Sequence, residues 1–329
     1  MRIVVTGGAG FIGSHLCERL LAQGHQVVCF DNFDDFYSRE AKQQNLSAIA
    51  EHPGFTLVHG DIRHPGDSAN ALRGAAAVVH LAARPGVRPS LRDPGLYAEI
   101  NVRGTIHLLE AVRHQGVEHV VLGSSSSVYG VQEGGPFDEE ATPCRPASPY
   151  GASKLAAEVY CATYHRLYGT PVTCLRFFTV YGPRQRPDMA IHRFTRLIEE
   201  GRPLPVYGDG TTRRDYTYVD DVIDGIVRAV ERPDGYQVYN LGNSEAVALR
   251  DLIAIIERVL GKTAVTSTEP PQPGDVPITH ASIDRARRAL GFRPQVKIEE
   301  GVRRFVELFR AHRTAVAAVP DGGPRGKGT

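Results

Sequence analysis

The chain has almost no charge imbalance: 38 lysines and arginines face 37 aspartates and glutamates, for a formal net charge of +1. Neither sign gathers into a block, so the electrostatic footprint of a nucleic-acid-binding protein is missing. No apolar run approaches the length needed to cross a bilayer, which excludes a membrane-spanning helix. A strand pattern starts at Arg2, so we expect no signal peptide and a cytoplasmic location. The five cysteines (Cys17, Cys29, Cys144, Cys161, Cys174) are scattered and lack CxxC spacing, which argues against a disulfide framework or a zinc site. Thirteen histidines form no HExxH-like pair, and no metal is expected. No internal repeat is present.

What remains is an ordinary globular composition, 42% apolar and 23% charged, on a chain long enough for one large domain or two coupled ones. Short β-branched runs at 2–6, 26–31, 56–59, 77–81, 119–123 and 172–177 alternate with helical patterns, as parallel βαβ units require. One helix is predicted from Phe11 to Gln23, closed by Gly24. Another is announced by Ser148-Pro149, a cap residue followed by proline at the first helical position, and should end at Tyr168 before Gly169. After Phe178 the alternation loosens. The expected organisation is a dinucleotide-binding domain over 1–178, with 218–241 partly returning to it, and a smaller α/β substrate lobe over 179–314. The stretch from Ala315 is poor in large apolar groups, and a disordered tail is expected over 315–329.

"MRIVVTGGAGFIGSHL" places Gly7, Gly10 and Gly13 at a strand-to-helix junction. Gly7 permits the tight turn, Gly10 lets backbone approach a pyrophosphate, and Gly13 lets helix and sheet pack closely. The phosphates then meet the helix N-terminus, where free N–H groups and the dipole favour anions. Asp31 ends the second strand, where a carboxylate accepts from ribose hydroxyls and repels a 2′-phosphate, so NAD is expected over NADP. Asp61 and Ile62 follow the third strand, where an adenine edge is read. Asn32 and Lys42 follow Asp31 within reach of the adenosine ribose or phosphates, although for Lys42 alone a solvated surface lysine is the favoured reading.

"YGASK" puts Tyr150 and Lys154 four residues apart on the capped helix, hence on one face. A neighbouring ammonium stabilises a phenolate, so the tyrosine pKa is expected to fall toward neutrality and make a general base. "GSSSSVYG" ends the fifth strand and sets Ser125 where it can share that proton. Past the sixth strand, "RFFTVYGPRQRPDMA" carries Arg184 and Arg186 into a loop at the ligand-binding end of the sheet.

Taken together, TGGAGFIG (6–13), DN (31–32), GDI (60–62), LAA (81–83), NVRGT (101–105), SSSSVYG (124–130), YGASK (150–154), RFFTVYGP (176–183), RRDYTYVDD (213–221) and PGDV (273–276) resemble the extended short-chain dehydrogenase/reductase family, in particular its nucleotide-sugar epimerases. The resemblance implies a Rossmann-type doubly wound α/β fold, tightly held NAD, a UDP-sugar substrate, a Ser125/Tyr150/Lys154 triad and a homodimer. It adds Phe11, Ile12, Leu81, Ala82, Ala83 and Asn101 to the cofactor site. At Ser126 and Ser127 the related dehydratases carry an Asp-Glu pair, and the decarboxylases a glutamate, so neither elimination finds its acid here. "FFTVYGPRQRPDMA" and "GVR" (86–88) are similar to the uronic-acid branch. Carried over, Thr179, Arg186 and Ser126 hold a sugar carboxylate, and the planar fork of Arg186 suits that task. Arg88 joins the substrate site, Arg214 binds the diphosphate and Asp275 lies over the uridine ribose. Gln272 stands near the place of a second phosphate arginine, and Arg184 is read as structural.

The expected activity is therefore 4-epimerisation of UDP-glucuronate to UDP-galacturonate through a transient 4-keto sugar. The alternatives are a UDP-glucose or UDP-N-acetylglucosamine 4-epimerase, in which the loop arginines are incidental, and a non-catalytic NAD-binding sensor.

Overall fold

The computed structural model describes residues 1–132 and 134–317. Its strands are β1 (Arg2–Thr6), β2 (Gln26–Asp31), β3 (Phe55–His59), β4 (Ala77–His80), β5 (His119–Ser125), β6 (Val172–Phe177), β7 (Thr179–Tyr181), β8 (Leu204–Tyr207), β9 (Arg213–Tyr218), β10 (Tyr236–Leu241), β11 (Ala246–Ala248) and β12 (Thr266–Glu269). One parallel sheet has the order β3-β2-β1-β4-β5-β6-β10. The chain winds outward from β1 in one direction and from β4 in the other, and the crevice between their carboxyl ends is where such sheets bind ligands. Two small sheets, β11-β9-β7 and β12-β8, are built from the later strands.

Period-two alternation explains why these strands read as unbroken apolar runs. Ile3 and Val5 face one buried cluster, while Val4 faces another on the opposite side. The first cluster continues from the sheet into Val302 and Phe305 of the last helix, so the later segment shares a core with the sheet. The segment 218–241 supplies the helix Val219–Val230 and then β10, which pairs with β6 from Tyr236↔Val172 to Leu241↔Phe177.

Helix ends follow their local chemistry. The helix Pro149–Tyr168 starts with Ser148 Oγ accepting from the Gly151 N–H at 3.1 Å and stops at Gly169 with φ +76°. The helix Phe11–Ala22 is capped by Gly10 with no side-chain hydrogen bond, and its first turn holds no acidic residue. Two boundaries differ from the sequence reading. β5 runs on to Ser125 because Ser124 and Ser125 pair with Arg176 and Phe177 of β6. The final helix, Ile298–Ala317, passes through 315–317, where disorder was expected, and good helix formers there outweigh the lack of large apolar groups. Residues 318–329 of the expected tail lie outside the described residues. Among the described residues no helix is long and apolar enough to cross a membrane, and no cluster of His, Cys, Asp and Glu has the makings of a metal site.

The turn after β1 leaves no room for side chains. A Cβ on Gly13 would sit 2.2 Å from the Gly7 carbonyl oxygen, and one on Gly7, whose φ is +69°, would sit 2.8 Å from the Ala82 nitrogen. Both obstacles are backbone, so neither can swing aside. Gly13→Ala is expected to cost about 1–3 kcal/mol and to lower the melting midpoint by roughly 3–10 °C. A thermal melt superimposable on that of the parent protein would refute this account of the turn.

Candidate active site

A cleft opens at the carboxyl ends of β1 and β4. Gly7, Gly10, Phe11, Ile12 and Gly13 form its floor, and Asp31, Asn32, Lys42, Asp61 and Ile62 line one end. Leu81, Ala82 and Ala83 line the middle, and Tyr150, Lys154 and Arg186 close the other end. The glycine turn and the uncapped helix behind it offer backbone N–H groups to an anion.

Asp31 is 7% exposed, and its carboxylate accepts from the Ala9 N–H at 3.1 Å and the Phe33 N–H at 2.8 Å. Burial pushes its pKa up, against the opposing pull of Lys42 and these N–H groups. Lys42 is a correction to the surface reading. It is 6% exposed, donates to the Asp34 carbonyl at 2.6 Å and lies over the Tyr37 ring, because the 32–38 loop folds back across it. Asn32 donates to Asp61 at 2.8 Å and accepts from the Asp34 N–H at 2.9 Å. Although burial works the other way, hydrogen bonds from Arg63 and Asn32 hold the Asp61 carboxyl at about 2.

Behind the cleft, a hydrogen-bonded chain locks the loop after β4. Thr105 Oγ1 donates to the Asn101 carbonyl at 2.6 Å, so it must accept from His80 Nε2–H at 3.0 Å. His80 Nδ1 is then free to accept from Thr6 Oγ1 at 2.7 Å, and Thr6 Oγ1 in turn accepts from the Ala82 N–H at 3.0 Å. Burial holds the His80 pKa down at about 3, consistent with this neutral tautomer. Asn101 corrects another expectation. It does not line the cleft: its amide donates to the Arg84 carbonyl at 3.0 Å and to Ser153 Oγ at 2.9 Å, while its oxygen accepts from the Arg84 N–H at 2.7 Å. With those groups spent on the protein, Asn101 braces the loop that carries Leu81–Ala83.

The tyrosine helix brings Tyr150 and Lys154 to the cleft, and the Ser125 hydroxyl lies near enough to act on the Tyr150 hydroxyl. The expected fall of the tyrosine pKa toward neutrality is not what this geometry produces. Burial raises the Tyr150 pKa, and the opposing pull comes from the Ser125 hydrogen bond and the Arg186 charge. Burial also weakens the neighbouring ammonium, lowering the Lys154 pKa to about 8. Each charged form is penalised by the same desolvation. Lys154 is 5% exposed, and its ammonium makes no hydrogen bond to any described residue. A buried donor facing the cleft beside a glycine turn fits the ribose hydroxyls of a dinucleotide.

Arg184 and Arg186 part company. Arg184, at φ +64°, donates to Glu18 at 2.6 Å and to Ser14 Oγ at 3.3 Å, pinning its loop to the first helix. Arg186 turns into the cleft, where Nε and Nη2 each reach an Asp188 oxygen at 3.0 Å and the guanidinium lies over Phe36. Ser126, Ser127 and Thr179 are half-buried, and their hydroxyls make no hydrogen bond to described residues. Arg214, Arg88 and Asp275 form a separate group. Arg214 pairs with Asp275, whose other oxygen is 3.9 Å from Arg88, and Arg88 stacks 4.5 Å over Tyr207. Asp215, next to Arg214 in the chain, is fully buried and holds the N–H groups of Asn243, Ser244 and Ala281 instead of the guanidinium.

The sequence reading missed Asp34, Phe36, Tyr37, Arg84 and Ser124, all of which line the cleft. Arg84 pairs with Asp34 and stacks 4.8 Å over Phe36. The signal was present in "DNFDDFY", an acidic and aromatic run that begins with Asp31, and in an arginine directly after Leu81–Ala83.

Residues 3–242 match the NAD dependent epimerase/dehydratase family. A UDP-glucuronate 4-epimerase of Thermodesulfobacterium geofontis (strain OPF15) is 40% identical over 310 residues, covering 92% of this chain and 94% of that protein. The crystal structure of a Bacillus cereus UDP-glucuronic acid 4-epimerase in complex with UDP-glucuronic acid and NAD is 39% identical with a TM-score of 0.91, covering 95% of this chain and 100% of that one. A Thermus thermophilus UDP-glucose 4-epimerase in complex with NAD is 37% identical with a TM-score of 0.86, covering 94% of this chain and 99% of that one. With a glycine turn, a buried aspartate at the end of β2 and a Tyr-Lys pair in one cleft, this chain belongs to the NAD dependent epimerase/dehydratase family.

Proposed function

We propose that the protein interconverts UDP-glucuronate and UDP-galacturonate by oxidation and re-reduction at C4. The observation that carries this reading is Arg186. Its side chain is 20% exposed, it lines the same cleft as Tyr150 and Lys154, and its charge acts on the Tyr150 hydroxyl. A guanidinium in the same cleft as the proton-transferring group suits an acidic sugar, whose carboxylate its planar fork can pair with.

Bound NAD would supply the hydride acceptor and donor at C4. The phenolate of Tyr150, hydrogen-bonded by Ser125, takes the O4 proton as hydride leaves C4, and the resulting phenol returns it when hydride comes back. Lys154 holds the ribose and favours the phenolate through its charge. The free hydroxyls of Ser126 and Thr179 and the fork of Arg186 receive the C5 carboxylate, which displaces Asp188 from one side of the fork. Arg214, with Arg88 beside it, meets the diphosphate, and Asp275 moves to the ribose of the uridine. Ser126 and Ser127 offer no acid for dehydration. A 4-keto uronate loses CO2 when its C5–C6 bond aligns with the carbonyl π system, and a clamped carboxylate holds that bond out of alignment. The segment from Thr179 onward is the sugar-nucleotide side of the molecule. Val159, Tyr160, Leu167 and Tyr168 leave an exposed apolar face on the tyrosine helix that suits a second copy of the chain.

Purified protein incubated with UDP-glucuronate and no added NAD is expected to develop the anomeric NMR signal of UDP-galacturonate. Turnover of UDP-glucose alone would overturn the acidic-sugar reading. Arg186→Ala is expected to raise KM for UDP-glucuronate about 10- to 100-fold and to leak a 4-keto pentose. The ammonium of Lys154 is charged below about 8 and neutral above it, so kcat should fall as pH rises through that value, and a flat profile across that value would contradict its role. Sedimentation at micromolar concentration should give twice the chain mass. A single-chain mass would remove the assignment of the apolar helix face.

A further inference from the structure

One turn beyond Lys154 on the same helix, Glu158 points in the same direction. It is 2% exposed, a place where a carboxylate survives only when paired. Its oxygens accept from Arg176 Nε at 3.0 Å and Nη2 at 2.8 Å, a two-pronged pair with a guanidinium that is itself 5% exposed. Oε1 also accepts from Ser124 Oγ at 2.5 Å, and Ser124 lines the cofactor cleft. Arg176 Nη1 donates to the Tyr129 hydroxyl at 3.0 Å, and that hydroxyl donates to Asn240 Oδ1 at 2.7 Å. The network therefore runs from β5 through β6 to β10, directly behind the Tyr150–Lys154 face.

Stability alone does not explain such a network, since well-packed apolar residues commonly match or exceed a buried ion pair. Its position does. The groups whose charge bears on Lys154 are Glu158 and Cys161 on its own helix and Cys174 on β6; Lys154 in turn bears on His80 of β4, and Tyr150 lies one turn back on the helix. His80 is neutral, held between two threonines, and burial with its Cys161 contact pushes the Cys174 thiol well up, keeping it protonated. Glu158 is thus the negative charge facing an ammonium that has no hydrogen bond to the described residues. Arg176 and Ser124 fix where that carboxylate sits.

We propose that the Glu158–Arg176 pair is a positioning device for catalysis: Glu158, one turn along the helix, steadies the Lys154 ammonium, Arg176 holds that carboxylate in place with its two-pronged pair, and Ser124 ties the pair to the cofactor wall. Glu158 acts through Lys154 and touches neither sugar nor cofactor. The idea rests on the epimerase reading only in taking Lys154 as a working residue of the site.

The chain has five lysines, so the NAD-loaded protein labelled with 13C at lysine Cε gives few enough signals to follow by NMR, with Lys154→Arg identifying the signal of interest. Glu158→Gln removes the favourable charge, and the Lys154 titration should move down by about one pH unit. Arg176→Met strips the buried carboxylate of its two-pronged partner, so the Lys154 titration should move down there as well. The alkaline limb of kcat, for whichever UDP-sugar is turned over, should follow. A packing role would lower stability in both variants and leave the Lys154 titration in place. Should Glu158→Gln not fold, Glu158→Gln/Arg176→Met leaves no unpaired charge and should still titrate below the parent protein. An unchanged or upward-shifted Lys154 titration in these variants overturns the proposal. Because the titration needs no substrate, that failure is distinct from an error about the sugar.

Discussion

Everything at this site depends on backbone meeting backbone where β1 turns into its helix. Gly7 and Gly13 are in contact without side chains, and Gly7 also touches the loop after β4. That closeness brings an uncapped helix N-terminus to the point where strand order reverses. It also brings the Thr6–His80–Thr105 chain into register with Ala82, so the two walls of the crevice are set by one hydrogen-bonded unit. A methyl group at Gly13 would push apart the floor on which every other residue is placed.

Charge in the cleft follows a second rule. The arginines of the cleft already have carboxylates, Arg186 with Asp188 and Arg84 with Asp34, and so does Arg214, which pairs with Asp275 in the separate group beside Arg88. A doubly anionic diphosphate and a uronate carboxylate would exchange with partners already present, so binding costs less desolvation than filling bare guanidinium sites. Lys154 is the contrast. It has no hydrogen bond to the described residues and relies on a charge one helical turn away. The arginines are thus paired with carboxylates at rest, while Lys154 is left without a hydrogen-bonded partner among the described residues.

Much of this was legible because it is local. A glycine triplet between strand and helix, an aspartate closing the next strand, and tyrosine and lysine four residues apart all owe their meaning to short-range geometry. So did the helix starting at Ser148-Pro149 and the return of the chain to the sheet after Tyr218. The errors were non-local. Lys42 reads as a surface lysine until the 32–38 loop is seen to cover it. Asn101 reads as a cofactor contact until the loop after β4 is seen to take up its amide. A neighbouring charge alone predicts a low tyrosine pKa, whereas burial acts on both members of the pair.

The sequence by itself determined the class of fold, the cofactor turn, the Tyr-Lys pair and the likeness to uronic-acid epimerases, since each is written in residues a few positions apart. Tertiary structure decided which of two neighbouring loop arginines enters the cleft, which carboxylate each cation holds at rest, and which groups are buried enough to resist ionisation. Those outcomes depend on distances between segments remote in the chain and on the exclusion of water from between them, and neither is encoded in any short stretch of residues.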